Sequence, residues 1–301
     1  MRFRCRVCKK SSIRHRSDSR RRVYQKLFVR WLTTSTHLND IASRNHVTSQ
    51  TLLNRFKNFW SHLPSPYTPT DRPDILVVDG VTVVRHRLVS LIALDPYTHQ
   101  PTNWLFAARE SYQYWVILFS RSVRPHYVVC DGQRGLLKAL YEVWPAIKVQ
   151  RCVIHIIRQA RAWLTLHPQT QAGRELLIIV RALSQIHTRR QKRRWIRSYH
   201  QWIRRHDRFL KERSRYGRRW WYTHRKVRAV RSLLTNSLPH LFTYIGHHRV
   251  PRTSNHVEGG INARIKDLLR IHRGLTPRHQ QIMVAWYLAT RQGQKPTRNF
   301  N

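Results

Sequence analysis

Apolar residues recur along the chain in two rhythms, and the change from one to the other divides it. Val23, Leu27, Phe28 and Trp31 repeat at helical spacing. From Leu38 to Phe56 that spacing continues with one break. Ile41 and Ala42 line a first short helix, Val47 a turn, and Leu52 and Phe56 a second helix for which Thr48 is the expected N-cap. Residues 23–62 therefore read as a helix-turn-helix, with Ser49, Gln50 and Asn54 on its outward face. An ordinary helical hairpin gives the same pattern, and Asn45 and His46 stand where an apolar residue and a glycine are common. Pro64, Pro66, Pro69 and Pro73 then block helix, so residues 63–73 are an expected linker.

Beyond the prolines the rhythm shortens. Ile75–Asp79, Leu88–Leu94 and Asn103–Ala108 are apolar, β-branched or aromatic runs joined by short turn-like segments. They predict three consecutive antiparallel strands. Ser111–Arg121 is helical in pattern, Tyr127–Asp131 is a fourth strand, Arg134–Trp144 a helix, Lys148–Cys152 a fifth strand, and a helix starts near His155. The order β-β-β-α-β-α-β-α over residues 74–160 implies an α/β fold, a mixed sheet with helices against it. Residues 161–250 show Leu and Trp only at helical spacing, including Trp195, Tyr199 and Trp202, and predict an all-helical insertion without strands. Residues 251–290 return with a long helix whose stripe is Val257, Ile261, Ile265 and Leu268 and which Gly274 ends, then a last helix over about 278–290. Residues 291–301 are polar and expected to be disordered.

Charge narrows the set of partners. The 301 residues hold 57 Lys and Arg against 14 Asp and Glu, a formal net charge of +43. A field of one sign on that scale favours a polyanion, DNA or RNA. Ser49, Gln50 and Asn54 are then placed to reach base edges. The cations at Arg189, Arg190, Lys192, Arg193, Arg194 and Arg197 mark a cationic helical face, with Trp220 and Trp221 open to two readings, helix packing or stacking on a displaced base. No run approaches the length of a membrane span, and the start Met1-Arg-Phe-Arg-Cys5 has no signal-peptide core. The expectation is a cytoplasmic protein without a membrane partner. Four cysteines are too few for a disulfide framework at this length. Cys5-x-x-Cys8, in the basic arm 1–22, has the spacing of one zinc knuckle. A structural Zn²⁺ site needs four ligands, so two readings stand: a surviving half of a zinc ribbon, or an unliganded arm.

With acids so scarce, their positions carry weight. Asp79 and Asp131 each end an apolar strand and each precede a glycine, Gly80 and Gly132. If the strands are neighbours the two carboxylates converge, which is costly without a cation between them. Hard oxygen ligands suit Mg²⁺ or Mn²⁺, and paired ions support in-line phosphoryl displacement. A turn role is the plain alternative for either Asp alone. Glu258 opens a helix three residues after Asn255, so a capping box competes with metal binding there. Cys152-x-x-His155 is a metal or strand-transfer element or, preferred, a buried thiol with a histidine at a helix start.

In this order and spacing, Leu-Val-Val-Asp79-Gly, Val-Val-Cys-Asp131-Gly, Gln-Arg-Cys152-x-x-His155 and Thr253-Ser-Asn255-x-x-Glu258-x-x-x-Asn262-x-x-x-Lys266 resemble bacterial insertion-sequence transposases of the Mutator-like DDE group. The resemblance runs from about residue 72 to 290. It implies an RNase H-like catalytic core and Asp79, Asp131 and Glu258 as the metal-binding triad. It further implies structural or positioning roles for Cys152, His155 and Asn255, and DNA contact for Asn262 and Lys266. The implied activity is metal-dependent cleavage at element ends followed by 3′-OH transfer into target DNA, with a homodimer on terminal inverted repeats. A nuclease or resolvase that cuts without joining, and a non-catalytic DNA-binding derivative, are the alternatives. The first Cys pair of the ribbon found in related transposases is absent here, which implies a shortened copy or a misassigned start.

Overall fold

The computed structural model describes residues 2–13, 16–67 and 71–293. A short antiparallel hairpin, β1 (Arg2–Arg4) and β2 (Ser11–Ile13), precedes three helices, α1 (Arg16–Thr33), α2 (Leu38–Arg44) and α3 (Ser49–Phe56). Ile41, Ala42, Leu52 and Phe56 are buried between them, and the Thr48 hydroxyl accepts from the Thr51 amide at 3.1 Å as an N-cap. His46 takes φ 52° in the turn before α3. The position requires the left-handed conformation that glycine adopts freely, and a histidine supplies it here.

A five-stranded sheet forms the centre: β3 (Ile75–Val84), β4 (Leu88–Asp95), β5 (Gln100–Ala107), β6 (Tyr127–Cys130) and β7 (Lys148–Arg151), in the spatial order β5-β4-β3-β6-β7. The pairs β3–β4 and β4–β5 are antiparallel, whereas β3–β6 and β6–β7 are parallel. Parallel neighbours need crossovers. These are α4 (Tyr112–Ser120) and α5 (Arg134–Val143), with α6 (Val153–Leu164) leaving β7. The predicted mixed α/β order is thus observed. Strand β3 extends past Asp79 to Val84, because Val81 and Val83 continue its buried alternation.

Both faces of the sheet are covered, which explains why β3 reads as an unbroken apolar run. Leu76 and Val78 face a layer holding Trp115, Phe119, Leu136 and Leu140 of α4 and α5. Ile75 and Val77 face the opposite layer, with Ile156 of α6, Ile265 of α12 (Ala263–Ile271) and Val284 of α13 (Pro277–Arg291). That second layer also contains Phe28, Leu32 and Phe56 of the N-terminal helices. Phe28 lies 6.3 Å from Trp286 between ring centroids. Arg264 reaches the Ser35 hydroxyl, and His272 hydrogen-bonds the Trp31 carbonyl at 3.1 Å.

Between α6 and α12 run α7 (Gln171–Ala182), α8 (Arg189–Arg205), α9 (Asp207–Lys211), α10 (Arg225–Ser237) and α11 (Thr243–Gly246). The expectation of an all-helical segment is corrected here. Strands β8 (Arg213–Tyr216) and β9 (Arg219–Tyr222) pair as an antiparallel hairpin after the helical spacing stops at α9. Gly217, at φ 58°, makes the turn. Helix packing does not describe Trp220, which is 53% exposed on β9 with the Arg213 guanidinium 4.3 Å from its ring centroid.

The long helix expected from Glu258 differs at both ends. It begins as a π-helical segment, His256–Asn262, and α12 stops at Ile271, before Gly274. Its stripe of Val257, Ile261, Ile265 and Leu268 is buried as expected. Residues 294–301, most of the expected tail, lie outside the described residues.

Candidate active site

The parallel register decides whether the two aspartates meet. Val77 of β3 pairs with Val129 of β6. Two residues further come Asp79, within β3, and Asp131, the residue after the end of β6, and strand neighbours are about 4.8 Å apart. Side chains two apart on a strand share a face, so the Asp79 carboxylate lies on the side of Val77, beneath the π-helical segment that packs on β3, and Asp131 follows directly on the end of β6. Each carboxylate is held. Asp79 Oδ1 accepts from the Gly80 amide at 3.0 Å, and its Oδ2 accepts from Asn262 Nδ2 at 2.8 Å. Asp131 Oδ1 accepts from the Gln133 amide at 3.0 Å.

The glycines after each aspartate make room for charged side chains. A Cβ on Gly80 would lie 2.1 Å from Glu110 Oε1. Gly132 has φ 78°, and a Cβ there would lie 2.0 Å from Arg151 Nε. Arg151 donates from Nε and Nη2 to the Asp131 carbonyl at 3.2 and 3.0 Å and from Nη1 to Ser237 Oγ at 2.8 Å. Its guanidinium therefore fixes the backbone that carries Asp131. Glu110 and Arg151 escaped sequence reasoning. The one signal for Glu110 was its position between an apolar strand and the start of α4.

Cys152 and His155 act on the other wall. Cys152 is fully buried, and its sulfur accepts from the Ser254 amide at 3.3 Å. Ser254 Oγ lies 3.4 Å from His155 Nδ1, and the Ser254 carbonyl accepts from the Val257 amide at 2.9 Å. The Val153 amide also donates to the Arg252 carbonyl at 3.0 Å. The end of β7 is thereby latched to the residues that open the π-helical segment. Burial opposes ionisation of Cys152, but hydrogen bonds with His155 and Ser254 outweigh it and hold the thiol below its ordinary value.

Glu258 sits on that segment, four residues before Asn262, and its side chain lies outside the described residues. Asn255 and Lys266 are exposed. Asn262, expected to face DNA, is instead buried against Asp79. Gln50 and Asn54 are exposed on α3 and bond each other at 3.4 Å, while the Ser49 hydroxyl is turned to Asn39 Oδ1 at 2.5 Å. Cys5 and Cys8 lie exposed at the β1–β2 turn, where the Cys8 amide donates to Cys5 Sγ at 3.5 Å. Backbone hydrogen bonds from Cys8 and Val7 hold the Cys5 thiol below its ordinary value. No group of three His, Cys, Asp or Glu suited to a metal gathers among the described residues, there or elsewhere.

Residues 108–211 match the family model of the Mutator-family transposases. Over this segment the chain is similar to the Mutator-family transposases. The matched span contains Glu110, Asp131, Cys152 and His155 and excludes Asp79 and Glu258. A Corynebacterium diphtheriae protein named "probable transposase for insertion sequence element" is 30% identical over 112 residues, a stretch covering 34% of this chain and 32% of that protein. The aligned region thus spans about a third of the curated relative's length.

Proposed function

We propose that the chain is an insertion-sequence DDE transposase with an RNase H-like core, cleaving DNA at element ends and transferring the 3′-OH into target DNA. The observation that carries this reading is the parallel register of β3 and β6, which brings Asp79 and Asp131 to the same end of adjacent strands in a chain matched in part by a transposase family model. Asp79 and Asp131, with Glu258, would hold divalent ions, Mg²⁺ or Mn²⁺. The donor set fits: it is all oxygen, and Asn262 adds a buried amide oxygen with no partner among the described residues. When bound, such ions activate the attacking water or 3′-hydroxyl and neutralise charge on the leaving oxygen.

The protein's own part is placement. The Gly80 amide and Asn262 orient the Asp79 carboxylate, and the Gln133 amide orients Asp131. The Cys152–Ser254–His155 latch sets where the segment bearing Glu258 crosses β3. Helix α8 has a role in gripping DNA. Its Trp195, Tyr199 and Trp202 are buried, which turns Arg190, Arg193, Arg194 and Arg197 outward as a cationic face. Trp220 on the β8–β9 hairpin is placed to stack on an unpaired base. Helices α2 and α3 act as a helix-turn-helix that reads the terminal repeats through Gln50 and Asn54, with two copies pairing two ends.

The test is incubation of the purified chain with labelled DNA carrying the element's flanking inverted repeat, plus Mg²⁺ or Mn²⁺. Joined products are expected. Cutting without joining would indicate a nuclease, and binding alone a regulator.

A further inference from the structure

A basic recess lies at the end of the sheet away from the aspartates. Lys148 opens β7 beside Tyr127, the first residue of β6, whereas Asp131 follows the last. At about 3.3 Å per residue, the two ends are roughly 13 Å apart along the strand. Around Lys148 a cavity of about 550 Å³ opens between α5, the start of α8 and residues 239–247. That volume is in the range of sites that take a small molecule.

Its lining is of two kinds. Lys148, Arg189, Lys192 and Arg193 bring four cations, and no acid lines the cavity. None of the four forms an ion pair among the described residues. The nearest acid in sequence, Glu142, is turned to the Tyr112 hydroxyl. Ring faces steer the two lysines instead. Lys148 Nζ lies 5.5 Å from the Tyr127 ring centroid, and Lys192 Nζ lies 5.5 Å from that of Phe242. Cations gathered without a counter-charge repel one another, and a bound anion relieves that cost. The second kind of lining is aromatic. Tyr141 is 37% exposed, and its ring centroid lies 5.9 Å from that of His240. Burial and the charge of Arg151 hold His240 below the ordinary histidine value, so near neutral pH it offers an uncharged ring. Duplex DNA shows phosphates on its outside but keeps its bases stacked within. An unpaired nucleotide presents a phosphate and a flat base together, as this lining requires.

We propose that the recess is a nucleotide site separate from the aspartates, with the phosphate held by Lys148, Lys192 and Arg193 and the base lying on Tyr141. The occupant is an unpaired nucleotide of a DNA strand or a free nucleotide, which share the chemistry that the recess recognises. The proposal does not depend on the roles given to Asp79 and Asp131.

The test is titration of the full chain with a fluorescent deoxynucleoside triphosphate, on the parent, K148A/K192A, Y141L and R85A/R87A, with melting temperatures measured alongside. K148A/K192A should weaken binding about tenfold and flatten its salt dependence. Y141L should weaken binding about fivefold or more and leave the salt dependence unchanged, because stacking carries no charge. R85A/R87A removes two exposed cations from the β3–β4 turn and should bind as the parent does. Parent-like binding by K148A/K192A, or an equal loss in R85A/R87A, overturns the proposal. Parent-like binding by Y141L, with pyrophosphate displacing the probe as well as the unlabelled nucleotide does, also overturns it. Displacement by a single-stranded oligothymidylate assigns the site to DNA, and displacement by the free nucleotide alone assigns it to a mononucleotide; either upholds it. If a variant melts lower, photocrosslinking of an azido-nucleotide to the parent decides. Attachment within residues 141–149, 189–193 or 239–247 upholds the site, and attachment elsewhere overturns it.

Discussion

Gly80 and Gly132 each follow an aspartate, yet the structure uses them differently. Gly80 admits Glu110, whereas Gly132 combines a left-handed backbone with close approach of Arg151. Gly132→Ala is expected to cost about 1–2 kcal/mol for the backbone alone, with displacement of Arg151 in addition. Chemical denaturation checks this, and parent-like stability would contradict it. Histidines give a pH prediction. Burial holds His272, His62 and His240 below the ordinary histidine value, with Arg151 adding to the effect at His240. As pH falls below about 6.5 the unfolded chain takes up protons that the folded chain refuses. The stability is therefore present above that pH and is lost as pH falls toward the lowered folded values. Melting temperatures between pH 7.5 and 5.5 should fall, and less steeply in H272Q. Asp79 and Asp131 were legible as acids closing apolar runs in an acid-poor chain, although β3 continues past Asp79. Glu110 was not, because its closeness to Asp131 depends on the β3–β6 register and the β5–α4 turn, which no local pattern encodes.

Helix α8 shows how far periodicity carries an element. Its aromatic stripe and cationic face are both visible in the sequence, and the structure satisfies the stripe fully. The Trp195 indole donates to the Ile179 carbonyl at 2.8 Å and that of Trp202 to the Ala172 carbonyl at 3.0 Å. Trp202→Ala should cost about 3–5 kcal/mol in a thermal or denaturant melt. Arg190→Ala with Arg194→Ala should leave stability unchanged and weaken DNA binding. The slope of log affinity against log salt should fall by about 0.9 for each phosphate that is no longer neutralised. An unchanged slope would remove α8 from the DNA path. The β8–β9 hairpin escaped notice because its strands are four residues each and rich in arginine, so no apolar alternation announces them. The π-helical segment was invisible for a related reason. Val257 and Ile261 suit an ordinary helix equally well, so no local pattern announces the wider turn.

At the scale of the whole molecule, one apolar layer runs from the N-terminal helices through α13 and α12 to the sheet. The base-reading helices proposed here are consequently fastened to the same helices that back the aspartates. The sheet order was legible from the succession of strands and helices. The seating of α1 on α13 was not, since it joins residues at opposite ends of the chain, such as Phe28 and Trp286. In the proposed function the field of +43 serves to draw in DNA, but the chemistry turns on two carboxylates at the same end of neighbouring strands. The most direct measurement is Mg²⁺-dependent cleavage of end-labelled inverted-repeat DNA by the parent, D79N and D131N, with DNA binding measured alongside. The expected result is cleavage by the parent and a fall to background in both variants, with binding and melting temperature retained. Cleavage by D79N or D131N at the parental rate would show that the reaction does not use this site.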